Sequence, residues 1–326
     1  MGKKAGDVLF EEGIRIQMLA PCDHYAGKES FIRKAFEIQQ KTGPLFDITC
    51  DLEDGAANGD EVAAAKCISR LISSDLNVFE ACGVRIHPPS SGVWEKELDI
   101  LLEHSGGHLS YITVPKVFTP DEVFLVHHHI EESRRRFSIE REILLHVLIE
   151  TQSALQHVFD IASLPGLRCL DFGLMDFISG HAGVIPFDAA RSPGQFDHAL
   201  IRRAKTLTVA AASSAGLTAS HNVTVQYQDL EATERDAFRA RHEFGFLRMW
   251  SIHPSQIEPV IRAMSPSFTD LKKAVALLEK ARSEDWGPVS YEGDLHDRGS
   301  YRYYWQLLQR ARRFGIQLPD GADEVL

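Results

Sequence analysis

Cysteine is scarce in this chain. The 326 residues hold five, Cys22, Cys50, Cys67, Cys82 and Cys169. They are odd in number and form no CxxC pair, which excludes a disulfide framework and a zinc knuckle and fits a reducing cytoplasm. Long hydrophobic runs are missing too: none approaches the roughly 20 residues that span a bilayer. No secretory apolar segment follows the basic start Met1-Gly2-Lys3-Lys4. Positive charge is the minority sign, 35 Lys and Arg against 46 Asp and Glu, a net charge of −11. That balance argues against broad binding of nucleic acid or an anionic membrane, both of which need a positive field. No internal repeat or low-complexity tract appears, and the composition is that of a soluble globular protein.

What is present is alternation. Short β-branched or apolar runs lie at 14–20, 46–51, 84–87, 111–116, 144–150, 170–173, 222–226 and 249–253. Between them, apolar residues recur at three- and four-residue steps over 29–42, 61–73, 121–137, 153–162, 197–215 and 230–244, the period of amphipathic helices. Asp60, Asp229 and Thr119 before Pro120 stand where helix caps belong. Strands alternating with helices imply a parallel sheet, and eight such units in about 250 residues fit a (β/α)8 TIM barrel. A doubly wound open sheet is the rival, but it would open with a Gly-rich turn, and Ala20-Pro21-Cys22-Asp23-His24 is not one. The expected organisation is a barrel over 1–262 and a helical C-terminal extension over 263–326. Its helices are expected at 271–282 and 301–314. At that size the extension is not expected to hold its own core, and should pack on the barrel or on a neighbouring subunit.

In a TIM barrel the chemistry sits at the C-terminal ends of the strands. Here those ends carry Asp51-Leu52-Glu53-Asp54, Arg85-Ile86-His87, Pro115-Lys116, Glu150-Thr151, Asp171-Phe172-Gly173-Leu174-Met175-Asp176 and Ile252-His253-Pro254. Carboxylates from several ends converging on one mouth are costly unless a cation or a reaction uses them. Glu150 and Asp176, from adjacent ends, suit one Mg²⁺ with positions left for substrate oxygens and water; helix capping or ion pairing is the bland alternative. Arg85 suits a bidentate grip on a carboxylate or the stabilisation of an enolate oxygen, or else a structural salt bridge. Lys116 is a formal candidate for a Schiff base, with an ion pair to a neighbouring carboxylate the preferred reading. His127-His128-His129 lies in a helical pattern whose successive side chains diverge, which argues against a metal tract.

These residues, in this order, resemble a known family. Pro21, Asp51-Leu52-Glu53-Asp54-Gly55, Lys66 with Arg70, Val84-Arg85-Ile86, Pro115-Lys116, Ile149-Glu150-Thr151, Phe172-Gly173-Leu174-Met175-Asp176 and Ile252-His253-Pro254-Ser255-Gln256 resemble the HpcH/HpaI aldolase/citrate lyase family. The likeness is to its citrate lyase beta subunit, malyl-CoA lyase and citramalyl-CoA lyase members, over roughly residues 14–262. It implies a Mg²⁺-dependent barrel that breaks or forms a C–C bond beside a carboxylate or thioester carbonyl. On that pattern Glu150 and Asp176 are the metal ligands, and Arg85 binds the oxo-acid carboxylate and steadies the enolate. Glu53 and Asp54 stand behind the metal. Lys28 and Lys34 are candidates for the CoA phosphates, or are plain surface lysines. Ile252 and His253 touch substrate. Asp297, in Gly293-Asp294-Leu295-His296-Asp297, matches an acid/base that such lyases supply from the next subunit, or else lies in a surface loop.

The implied partners are a CoA thioester, a small 2-oxo acid of the pyruvate, glyoxylate or oxaloacetate class, and further copies of the chain in a trimer or hexamer. Two alternatives stay open. One is a citrate lyase beta-type subunit acting on an acyl-carrier-protein thioester; the other is a class II pyruvate aldolase acting on free acids. The chain departs from the family pattern at His87-Pro88-Pro89, at Met175 and in the long stretch 179–193, all positioned to shape the substrate pocket.

Overall fold

The computed structural model describes residues 5–10, 18–55 and 59–326. Eight parallel strands close into a barrel: β1 (Cys22–Ala26), β2 (Phe46–Asp51), β3 (Cys82–Arg85), β4 (Tyr111–Val114), β5 (Leu144–Ile149), β6 (Leu167–Phe172), β7 (Thr218–His221) and β8 (Arg248–Ser251). Closure runs through β1 and β8, where Cys22 pairs with Met249 and His24 with Ser251. The expected barrel is therefore the observed one, with helices following the strands and packing outside them.

Two strands are not where the apolar runs placed them. The expected strand at 14–20 is replaced by β1 at Cys22–Ala26, and residues 14–17 lie outside the described residues. The run 222–226 follows β7 rather than forming it. The reason is chemical. β1 carries Asp23 and His24, and β7 is Thr-Ala-Ser-His, yet both strands are buried throughout. Polar strands escape a search for apolar runs.

What makes polar strands tolerable is a hydrogen-bonded barrel interior. The Arg248 guanidinium is fully buried and pairs with Asp23 at 2.6 Å and with Asp47. Thr49 Oγ1 donates to Asp23 at 2.8 Å, Tyr111 OH donates to it at 3.2 Å, and Trp250 Nε1 donates to Asp171 at 2.9 Å. Unpaired, such charges would cost several kcal/mol each. The Tyr111 ring also needs Gly83 beside it: a Cβ there would lie 2.2 Å from the ring.

Residues 265–326 form a second compact unit together with the N-terminal segment. Its two main helices, Phe268–Ser283 and Arg298–Arg313, flank the hairpin β9 (Val289–Tyr291) and β10 (Asp294–His296). Each long helix starts with a capping box, on Ser267 and on Asp297. Contrary to expectation this unit has an apolar cluster of its own. Leu271, Leu278, Tyr301, Leu308 and Val325 join Leu9 of the Ala5–Leu9 helix. The tail reaches a workable core by recruiting the N-terminal helix, a long-range partner that a local reading omits. No described helix is long and apolar enough to cross a membrane.

Candidate active site

The mouth is organised by two neighbouring strand ends. Register places Asp51, last of β2, opposite Arg85, last of β3. Arg85 Nε donates to Asp51 Oδ1 at 2.7 Å and a terminal nitrogen to Oδ2 at 2.5 Å, a bidentate fork. Its other terminal nitrogen lies 3.1 Å from Glu53 Oε2, and its guanidinium sits 5.3 Å from the Tyr25 ring centroid. Asp51 also accepts the backbone N–H groups of Glu53 and Gly55. It thus folds the DLED turn and aims Arg85 with one carboxylate. Nothing local in the sequence singles out Asp51 within the DLED string, because its partner Arg85 is set by register across the sheet.

Lys116, just past β4, joins the other acids. Its φ of 49° is left-handed, so backbone and side chain diverge. The N–H donates to Glu150 Oε1 at 2.7 Å, while the ammonium pairs with Glu53, with Asp54 at 3.0 Å and with Asp176 at 3.8 Å. Glu53 and Asp54 hold that ammonium protonated against the cost of its burial, which raises its pKa and removes it as a Schiff-base amine. The preferred ion-pair reading holds.

Glu150 follows β5 and is 2% exposed. Burial first, then the Asp176 carboxylate, pushes its pKa up to about 8. Asp176 lies in the first turn of the Leu174–Ser179 helix, with its side chain 34% exposed. Burial likewise raises Glu53 against the pull of Arg85 and Lys116. At Asp54 burial also opposes ionisation, but the hydrogen bond and charge of Lys116 outweigh it and lower the pKa.

The charge and chemistry of these donors fit a divalent cation. Among the described residues gathered here, the five carboxylates of Asp51, Glu53, Asp54, Glu150 and Asp176 share two cations, Arg85 and Lys116. A buried acid beside another acid is the donor set a hard cation takes. Gly173 leaves the Glu150 side chain its place, because a Cβ there would meet Oε2 at 2.2 Å. A second potential ligand group, His146, Cys169 and Asp171, has its ligand atoms within 4.8 Å of one another. It belongs to the polar barrel interior: His146 stacks on Tyr111 at 3.9 Å, and burial raises the Cys169 thiol well above its ordinary range.

The remaining expected residues are placed as follows. Lys28 is exposed at the N-cap of the Glu29–Thr42 helix, with its ammonium 5.7 Å from the Phe31 ring centroid. Lys34 is exposed and pairs with Glu37 at 3.2 Å. Ile252 is exposed, and its N–H donates to Gln256 at 3.0 Å. His253 is exposed, with Nδ1 2.7 Å from Ser255 Oγ. Asp297 belongs to the second unit, where it is exposed and accepts from Gly299 N–H at 2.9 Å as a helix N-cap. Of the three consecutive histidines, His128 lies 3.6 Å from Glu132 and His129 3.1 Å from Asp99; they do not converge. The long stretch 179–193 carries the short helical turn Phe187–Ala190 and leads to buried Gln195, which donates to Asp236 at 2.8 Å and accepts from Lys205 and Asn222.

Carboxylates and a guanidinium of fixed direction at the strand ends of a (β/α)8 barrel stand where such a barrel does its chemistry, and likeness to known proteins makes that chemistry the carbon–carbon lyase type. The chain belongs to the HpcH/HpaI aldolase/citrate lyase family, whose model matches residues 45–254. The crystal structure of a citrate lyase from Burkholderia xenovorans LB400 is 42% identical, with a TM-score of 0.90 over 99% of this chain and 100% of that one. An L-malyl-CoA/beta-methylmalyl-CoA lyase of Rhodobacter capsulatus is 24% identical over 312 residues, 91% of this chain and 94% of that protein. The fold is also that of protein CitE from Mycobacterium tuberculosis, solved with magnesium, acetoacetate and coenzyme A. It is 23% identical, with a TM-score of 0.70, over 90% of this chain and 98% of that one.

Proposed function

We propose that this protein is a Mg²⁺-dependent lyase that cleaves or forms a hydroxyacyl-CoA thioester of the malyl-CoA or citramalyl-CoA type through an enolate. The observation that carries the reading is Glu150, a buried carboxyl facing a second acid with, among the described residues, no ammonium or guanidinium paired to it directly. The relative from R. capsulatus, named for malyl-CoA and methylmalyl-CoA, and the magnesium and coenzyme A bound by the M. tuberculosis protein support the choice of metal and thioester.

In this reading Glu150 and Asp176 hold the metal. When bound, it supplies Lewis-acid polarisation of the carbonyl and carboxylate oxygens of the oxo acid. Arg85, held rigid by Asp51, stabilises the negative charge that develops on oxygen as the C–C bond breaks, and its preset direction avoids reorganisation. Glu53 and Asp54 orient water at the back of the site. Ile252 and His253 border the substrate, and Lys28 and Lys34 face the CoA phosphates. Asp297 of a neighbouring copy exchanges a proton with the acyl carbon, which makes a homo-oligomer, trimer or hexamer, the working form. The five free cysteines suit a cytoplasmic location.

The test is product formation from a panel of malyl-, methylmalyl- and citramalyl-CoA. Acetyl-CoA or propionyl-CoA appearing only with Mg²⁺ supports the reading and names the acyl group. Cleavage of free hydroxy acids or of acyl-carrier-protein thioesters alone would replace it by the aldolase or the citrate lyase beta-type reading.

A further inference from the structure

Lys116 is a poor fit to the role of a simple stabilising ion pair. One carboxylate would satisfy it, yet it faces three, of which Asp54 and Asp176 remain 58% and 34% exposed. Its left-handed backbone is unusual for a residue with a long side chain. The consequence of that backbone is specific. The N–H is turned to Glu150 and the ammonium to Glu53, Asp54 and Asp176, so one residue stands between the two halves of the acidic cluster.

Resting on the metal reading given above, we propose that Lys116 is a positioning residue that acts as an internal rival of the divalent cation. Its ammonium weakens metal binding at Glu150 and Asp176 and, by the same charge, favours entry of the anionic oxo acid. The argument is a charge count. With every carboxylate ionised, as metal binding requires of its ligands, the five carboxylates and two cations of the mouth sum to −3, and a divalent cation brings this to −1, so an arriving oxo-acid anion still meets net negative charge. Without Lys116 the corresponding sums are −4 and −2. Metal affinity and anion affinity therefore move in opposite directions when Lys116 is neutralised. A residue that merely held the scaffold together would, on removal, weaken both. Lys116 is partly exposed, with its side chain 28% accessible, so solvent screens the effect to on the order of tenfold rather than many orders of magnitude.

The experiment is calorimetric titration of the full-length protein with Mg²⁺ alone, then with pyruvate or oxaloacetate at saturating Mg²⁺, for wild type, Lys116→Met and Lys116→Arg. Circular dichroism confirms that each variant is folded. The expected result for Lys116→Met is a Mg²⁺ Kd lower by roughly tenfold and an oxo-acid Kd higher by a similar factor, with Lys116→Arg close to wild type on both. Loss of both affinities together, or no change in either, overturns the proposal. Should wild type bind no Mg²⁺ at all, the metal reading itself fails, an outcome distinct from a wild type that binds and a Lys116→Met variant that does not bind more tightly. Should Lys116→Met not fold, Lys116→Gln carries the same comparison.

Discussion

A Cβ placed on Gly173 would lie 2.2 Å from Oε2 of Glu150, so the glycine that follows β6 is the floor on which the buried carboxylate of β5 rests. Gly173 itself has an extended backbone, φ −95°, which any residue can adopt. The need for glycine is therefore spatial. Gly173→Ala should fold but displace Glu150. The expected outcome is a metal affinity weaker by roughly 10- to 100-fold, read by Mg²⁺ titration, with a stability loss of about 1–3 kcal/mol from overpacking. Unchanged Mg²⁺ affinity would show that Glu150 is free to sit elsewhere.

Glu150→Gln separates stability from function. It keeps the shape of the side chain and removes a charge that burial and Asp176 both oppose. The metal-free variant should melt about 2 °C or more above wild type, since each kcal/mol relieved is worth a few degrees in a chain of this size. Mg²⁺ should raise the melting temperature of wild type and leave the variant unmoved. A variant that melts lower than wild type without metal would contradict the charge account.

Arg85→Lys tests the fork on Asp51. Lysine keeps the charge but cannot pair with both oxygens while reaching Glu53. The expected loss is on the order of 10²- to 10³-fold in kcat, as for removal of a preorganised oxyanion donor. Asp51→Asn should act through Arg85, with a smaller fall in kcat and a higher KM for the oxo acid. Equal activity of Arg85→Lys and wild type in steady-state assays would remove Arg85 from the chemistry.

The fold was legible in the sequence because its count of eight strand–helix units survives errors in single strands. β2 and the Glu29–Thr42 helix fall on their expected bounds. β1 and β7 were missed because Asp23, His24, Ser220 and His221 are polar although buried, and Arg248 and Ser251, the partners of Asp23 and His24, lie far along the chain. Arg85, Glu150 and Asp176, singled out in the sequence at or just after strand ends, stand close enough at the barrel mouth for Glu150 to feel the charge of the other two. Asp51 and Gly173 stand in the sequence as motif letters only, and Lys116 as an ion-pair partner without named acids. Their placement rests on register, a left-handed φ and a close approach, none of which has a local signature.

His24 gives a pH test of the polar interior. Burial first, and His253 second, lower its pKa from the ordinary 6.5 to about 4. A folded-state value below the unfolded one means the unfolded chain binds the extra proton, so this residue costs stability as pH falls from 6.5 toward 4. His24→Gln lacks that cost. Denaturation at pH 7, 5.5 and 4 should show the stability of the variant gaining on wild type by about 3 kcal/mol across the window. A constant difference would mean that His24 takes up its proton in the fold as readily as in the unfolded chain.

The central claim is that the acidic mouth is a metal seat for thioester cleavage. The most direct measurement is the rate of malyl-CoA or citramalyl-CoA cleavage by metal-stripped protein as Mg²⁺ is added back, for wild type and Asp176→Asn. Activity that is absent without Mg²⁺, returns to saturation in wild type and stays lower by at least about 100-fold in the variant is the expected result. Cleavage that persists in the stripped protein, or that Asp176→Asn leaves intact, would contradict it.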